Sequence, residues 1–362
     1  MSESATASAP AKTQPEAKKN HLSSGFFRFV LTRFLLIIPT VFILVTIVFF
    51  VMRATGDPIS AAMGGRLTPE ELQRRIHAAG YDRPLVVQYL DYLGGLLRGD
   101  LGTTLTDNQP VTTILTRYGA ATFELAFLSL IVALIVGIGL GRLAARRRDH
   151  AADAGIRVFA ILCYATPVFF LGLMLKLVFA VWLNVLPPSG RSSFASDMQF
   201  QRLVSPTGFY IIDAFQLGDM SVLVDVLRHA VLPALALGLL TAGVFIRLVR
   251  TNVISTYTSG YVEAARSRGV SEGRLLSKHA WRPAMIPIIT VMGMQIALML
   301  AGAVLTETTF EWKGLGFMLS QYLKQRDFVA VQGIVILIAI IVAVVNFIVD
   351  VISALIDPRV RY

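Results

Sequence analysis

The chain has 362 residues, of which 55% are hydrophobic and only 15% charged, and its mean hydropathy is +0.65. A soluble domain carries about 25% charged residues; here the deficit is concentrated in long runs nearly free of Asp, Glu, Lys and Arg, which excludes a single soluble core. The formal charge of +10 does not gather into a basic face interleaved with aromatics, so no nucleic-acid partner is expected.

Residues 1–20 are rich in Ala, Ser, Pro and Lys with nothing to bury, and a disordered cytosolic tail reaching residue 25 is expected. A cleaved signal peptide fits poorly, because the first apolar run starts late, is too long and lacks a small-residue cleavage site. A membrane-spanning helix needs about 20 apolar residues. Six stretches supply them: 34–52, 120–140, 158–181, 230–246, 284–305 and 328–352. The expected fold is therefore all-α, a polytopic bundle of six transmembrane helices. Pro39 and Pro167 mark possible kinks in the first and third.

Between the first and second stretches, residues 54–118 form an extracytoplasmic insertion with helices of its own. Thr68, Pro69 and Glu71 make a capping box with proline at the first helical position, and Gly80 is placed to end that helix. A second helix follows Pro84, where Leu85, Tyr89, Leu93 and Leu96 recur on one face. That face can lie on the membrane, pack on the spans or receive a partner protein.

Basic residues then orient the bundle, since Lys and Arg accumulate on the cytoplasmic side. Arg28 and Arg33 precede the first span, Arg142, Arg146, Arg147, Arg148 and Arg157 separate the second from the third, and Arg247, Arg250, Arg266, Arg268 and Arg274 lie between the fourth and fifth. Both termini should face the cytosol. Labels at Thr103 and Ser196 should be reached from outside, and labels at Asp149 and Ser267 from inside.

The loop at 251–283 carries Tyr-Val-Glu-Ala-Ala-Arg-Ser-Arg-Gly at 261–269, followed by Trp-Arg-Pro-Ala-Met-Ile-Pro at 281–287. This resembles the coupling loop of ABC importer permeases, in which Glu-Ala-Ala is followed after three residues by Gly. His279-Ala280, the Ile-Pro-Ile-Ile-Thr step at 286–290, Arg-Ala-Thr-Gly-Asp-Pro at 53–58, Gly-Asp-Leu-Gly at 99–102 and Asp-Pro-Arg-Val-Arg-Tyr at 357–362 are similar to the peptide and nickel branch. Trp281 and Pro283 depart from it, standing where that branch shows Leu and Asn.

The resemblance implies a permease domain over 26–362 that imports dipeptides or oligopeptides, with nickel, glutathione or another small solute as alternatives. It implies four kinds of neighbour: a second, similar permease, two ATPase subunits that hold ATP and Mg, an extracytoplasmic binding protein and membrane lipid. It assigns Glu263, Ala264, Ala265, Arg266 and Gly269 to the contact with the ATPase. The residues support this physically. Ala264 and Ala265 let a helix approach another surface closely, Gly269 can adopt the left-handed turn that ends it, and Ser271 can cap a second short helix.

Catalysis has no footing in the sequence. The Gly-Val-Ser-Glu-Gly run at 269–273 matches a nucleophile elbow only literally, lacking the strand and the Ser-acid-His order. No lysine follows a glycine, so no phosphate-cradling loop exists and ATP must be hydrolysed elsewhere. A lone Cys163 allows neither an intrachain disulfide nor a thiolate cluster. Three polar residues within the spans are candidates for the translocation path: Glu124, Lys176 and Asn346. Structural roles are the commoner use. Glu124 and Lys176 are near enough to the outer face to reach the interface, with Glu124 in the first turn of its helix. Asn346 is deep enough to hydrogen-bond a neighbouring helix. A secondary transporter is the rival reading, but repeated halves and midplane charges are not evident.

Overall fold

The computed structural model describes residues 21–356 apart from Arg66. Most of the expected tail and the segment 357–362 lie outside the described residues. Among the described residues every regular element is helical, and an isolated bridge joins Thr103 to Pro110.

Helix α1 (His21–Ala54) runs unbroken through Pro39. Three shorter helices follow, α2 (Pro58–Met63), α3 (Pro69–Ala78) and α4 (Leu85–Leu97). The capping signals work as their chemistry requires: the Thr68 hydroxyl accepts the Glu71 N–H, and Gly80 turns the chain at φ +72°. Helix α5 (Val111–Arg146) is followed by α6 (Ala151–Ala165) and α7 (Val168–Leu175), which continues as a π-helical stretch Lys176–Trp182. Next come α8 (Phe194–Phe200), α9 (Tyr210–Leu217), α10 (Met220–Tyr257) and α11 (Gly260–Ser267). The one-turn α12 (Glu272–Arg274) passes through a π stretch, Leu275–Ala280, into α13 (Trp281–Phe310), and α14 (Leu315–Lys324) and α15 (Phe328–Ile356) complete the chain.

Close contacts give each long helix its direction. On α5 and α10, a Cβ added at Gly137 would come within 2.5 Å of Phe245, one at Gly141 within 2.7 Å of Val249, and one at Gly238 within 2.7 Å of the Ser129 carbonyl. These two helices therefore run parallel, packed through small residues as apolar helices in lipid do. Helix α6 runs the other way, with Asp153 against Arg250 and Ala160 against Gly243. Helix α7 and its π stretch then carry Leu175 and Phe179 up to Leu232 and Ala236.

Helices α6 and α7 meet at a bend of 109°, at Thr166 and Pro167. The pair nevertheless climbs α10 without reversing, so it is one crossing. The wedge is proline, which cannot donate to the ladder and clashes with the preceding turn. The fourth stretch, shortest by hydropathy, belongs to the 38-residue α10. The fifth bends by 46° where the break adjoins Pro287, inside α13, and not at Pro283. Helix α15 returns beside α13, with Val349 against Gly293. It also packs on α1, through Arg33–Asp350 (3.4 Å) and the Phe34 and Phe347 rings. Up to six spans are thus present and alternate in direction, with the described ends of the chain on one side. We call that side inner and the side bearing α2–α4 outer.

Helices α8 and α9 form a second outer cap. Ser196 lies in it only 5% exposed, its hydroxyl donating to Asp225; the expectation that it can be labelled from outside fails, and Val204, fully exposed, is the reachable residue of this segment.

Candidate functional site

The 251–283 segment begins where α10 leaves the bundle. Val262, fully buried, fastens α11 to the chain, and the Tyr261 hydroxyl donates to the His279 carbonyl at 3.2 Å. Glu263, Ala264 and Arg266 face outward, while Ala265 is half-buried. Gly269, at φ +80°, ends the helix: its N–H reaches the Arg266 carbonyl at 2.9 Å and the next N–H, from Val270, the Ala265 carbonyl at 3.3 Å. A Cβ here would meet no atom within 4 Å, so the conformation and not space selects glycine.

The second short helix differs from the expectation. Ser271 occupies the cap position of α12 without a side-chain capping bond, and α12 is a single turn continuous with the π stretch and α13. The free-standing element is α11 alone. Its far end is clipped across the turn: Arg266 Nε donates to Glu272 at 2.7 Å, and the Tyr257 hydroxyl donates to the other carboxylate oxygen. Hydrogen bonding to Glu272 raises the Arg266 guanidinium above its ordinary value, so it stays charged. Glu263, Arg266 and Glu272 line a cleft of about 640 Å³ with Ala145 and Arg146 from the end of α5.

Beneath the loop, Arg250 donates from Nε and Nη2 to both oxygens of Asp153 at 2.6 and 2.8 Å. The carboxylate is fully buried and ties α6 to α10. Sequence reasoning missed this pair, since Arg250 reads as one more topology-setting charge.

The three intramembrane candidates are not brought together. Glu124 is 4% exposed and does not reach the interface. It sits in the fourth turn of α5, which starts at Val111, so the first-turn electrostatic argument does not apply. Its partner is Arg191, at 2.5 Å, and Glu124 also accepts the Ile211 N–H at 2.8 Å. Arg191 itself lies over the Tyr210 and Trp312 rings and donates to the Gly208 carbonyl, joining the second cap to the bundle. Lys176 donates to the Thr309 carbonyl at 2.9 Å, beside the Phe310 ring. Asn346 is exposed on α15, and no interhelical hydrogen bond to it is found among the described residues.

An all-helical bundle of alternating crossings, presenting one small-residue helix between two of them, defines a polytopic membrane protein. The chain belongs to the family of binding-protein-dependent transport system inner membrane components, matched over residues 137–362, with the N-terminal part of such components matched over 26–125. It is 37% identical over 336 residues to a di/tripeptide transport system permease protein, DppB, of Pseudomonas aeruginosa, covering 92% of this chain and 98% of that one. It is also 37% identical over 338 residues to the dipeptide transport system permease protein DppB of Escherichia coli K12, covering 92% and 99%. Among solved structures, the MetNI methionine ABC transporter in inward-facing conformations aligns at a TM-score of 0.49 and 14% identity, over 68% of this chain and 97% of that one.

Proposed function

We propose that this chain is a transmembrane permease subunit of an ATP-driven importer of dipeptides or oligopeptides in the bacterial cytoplasmic membrane, with both termini in the cytosol. The relatives' names support the substrate class. The observation that carries the mechanism is α11, a short helix whose Glu263–Ala264 surface is free and whose end is fixed by the left-handed Gly269. Small side chains on an exposed helix suit insertion into a partner's groove. In this reading each of two ATPases receives one such helix, from this chain or from a second permease, and nucleotide-driven closure moves it. Val262 and the Arg266–Glu272–Tyr257 clip pass that motion to α10 and α13. Solute arrives from an extracytoplasmic binding protein at the outer end. Glu124 and Lys176, already engaged, hold that end together instead of touching solute.

Reconstitution tests this reading. With the ATPases, second permease and binding protein in proteoliposomes, dipeptide should stimulate ATP hydrolysis and be taken up. Ala264→Asp should abolish both while leaving the chain inserted, because the residue lies outside the bilayer and contacts nothing in the core. In intact cells, cysteines at Thr103 and Val204 should be labelled from outside and at Asp149 and Ser267 only from inside. Outside labelling at Asp149 would contradict the topology, and normal transport by Ala264→Asp would contradict the coupling role.

A further inference from the structure

A second polar site lies at the outer end, away from the loop. Arg53 stands in the last turn of α1, where that helix leaves the apolar layer. Its guanidinium lies over the rings of Phe49 (5.1 Å) and Tyr81 (4.4 Å), which cover its faces and leave its edges to be satisfied. The Arg53 side chain borders a cavity of about 330 Å³ between α1, α4 and the start of α15. Tyr92 and Gln332 also line it, Gln332 only 5% exposed.

At its wall lie hydrogen-bond donors with no protein partner among the described residues. Arg53 Nε and Nη1, the Tyr92 hydroxyl and Gln332 Nε2 are all buried and unpaired, beside a single unpaired acceptor, Gln88 Oε1. The Gln88 amide is fixed, since its nitrogen donates to the Tyr81 and Arg83 carbonyls at 2.9 and 2.8 Å, which turns the oxygen inward. Both acidic residues of the lining are engaged elsewhere: Asp91 pairs with Arg83 at 3.3 Å, and Asp100 accepts the Gly102 N–H at 2.9 Å. Burial raises the Tyr92 phenol, so it stays protonated and can donate. A permanent cation with further unpaired donors, whose two acidic neighbours are held by Arg83 and by a backbone N–H, is a site for an oxyanion.

The surroundings select the source of that oxyanion. Helix α4 turns Tyr89 and Tyr92 onto Phe49 of α1. Away from these rings Val86, Leu90 and Leu97 are 61 to 90% exposed. A helix with such an apolar side beside a membrane-spanning helix lies in the interface with that side among acyl chains. We infer that the cavity bounded by Arg53, Tyr92 and Gln332 binds the phosphate of a phospholipid from the outer leaflet. The acyl chains run along α4 and α1, and Gln88 Oε1 accepts a hydrogen bond from a headgroup hydroxyl or ammonium.

The test is native mass spectrometry of the full chain in non-ionic detergent, titrated with phosphatidylglycerol. Parallel arms use diacylglycerol of the same chains, inorganic phosphate and a dipeptide as competitor. The expected result is one phosphatidylglycerol retained per chain, with affinity reduced about tenfold, the loss of one charge-assisted contact, in Arg53→Met and in Gln332→Leu. Arg53→Lys should fall between them and the wild type. Diacylglycerol should not be retained, and inorganic phosphate alone should bind far more weakly. If Arg53→Met does not fold, Gln332→Leu and Tyr92→Phe, which keep the cation, carry the test. Equal retention by wild type and variants, equal retention of diacylglycerol, or displacement of the lipid by dipeptide would each overturn the assignment, the last giving the site to a peptide carboxylate.

Discussion

At the outer end Glu124, Glu307 and Asp327 are buried and satisfied. Glu124 has Arg191. Glu307, fully buried, accepts the Thr122 hydroxyl at 2.7 Å and the Phe317 N–H at 2.9 Å, at the start of α14. Asp327 accepts the Leu105 and Thr106 N–H groups at 2.6 and 2.9 Å. At the inner end Glu263, Arg266 and Glu272 are exposed. Buried charge gains from the low dielectric only when every group is paired, which makes the outer arrangement unforgiving of change. The inner loop has no such demand apart from Val262 and the turn at Gly269. The difference separates a frame that must not move from a surface that must be met by something else.

The largest expected effect lies in the frame. Arg191→Met leaves Glu124 buried without a countercharge and should cost about 3–5 kcal/mol, read from thermal unfolding in detergent. Adding Glu124→Gln should recover much of it. A single variant as stable as wild type would break the comparison. Gly316→Ala comes next. Its Cβ would lie 2.5 Å from the Val304 Cα, backbone that cannot swing aside, so a loss of about 1–3 kcal/mol is expected. Gly269→Ala, where nothing crowds the Cβ, should cost only about 1–2 kcal/mol of conformational strain, yet reduce coupled transport more than Gly316→Ala does per unit of stability lost. Smallest of all, Glu272→Gln should leave the melting temperature unchanged, since the clip is exposed. It should speed amide hydrogen exchange in α11 and nowhere else.

How much of this was legible follows from the range of each signal. Spans are written locally in hydropathy, and the turn at Gly269 is written in a few adjacent residues. The Thr68 cap and the helix after Pro84 are equally local, and both form; the Glu71 carboxylate takes Arg75. Pro167 marked a kink, but the size of the bend depends on how α6 and α7 each pack along α10, which no window contains. The pair Glu124–Arg191 spans 67 positions and Asp153–Arg250 spans 97. Nothing local couples such residues, and the topology rule had already claimed Arg250. Glycine at 314 and 316 was the one available hint of the Glu307 site, because a Cβ at 314 would collide with that carboxylate and one at 316 would crowd it. The face of α4 was left open in the sequence, and the structure divides it: Tyr89 packs on the spans, while Leu85 stays exposed.

The central claim, that α11 docks into an ATPase, is tested most directly by cross-linking in the assembled transporter. With Cys163 replaced by alanine, a cysteine at Ser267 should cross-link to one engineered in the ATPase groove, with a yield that changes when nucleotide is bound. A cysteine at Thr103, exposed at the outer end, should not cross-link, because the membrane lies between. Nucleotide-dependent cross-linking at Ser267 alone is the result this account predicts; equal yields at Ser267 and Thr103, or none at Ser267 in an assembly that transports, would contradict it.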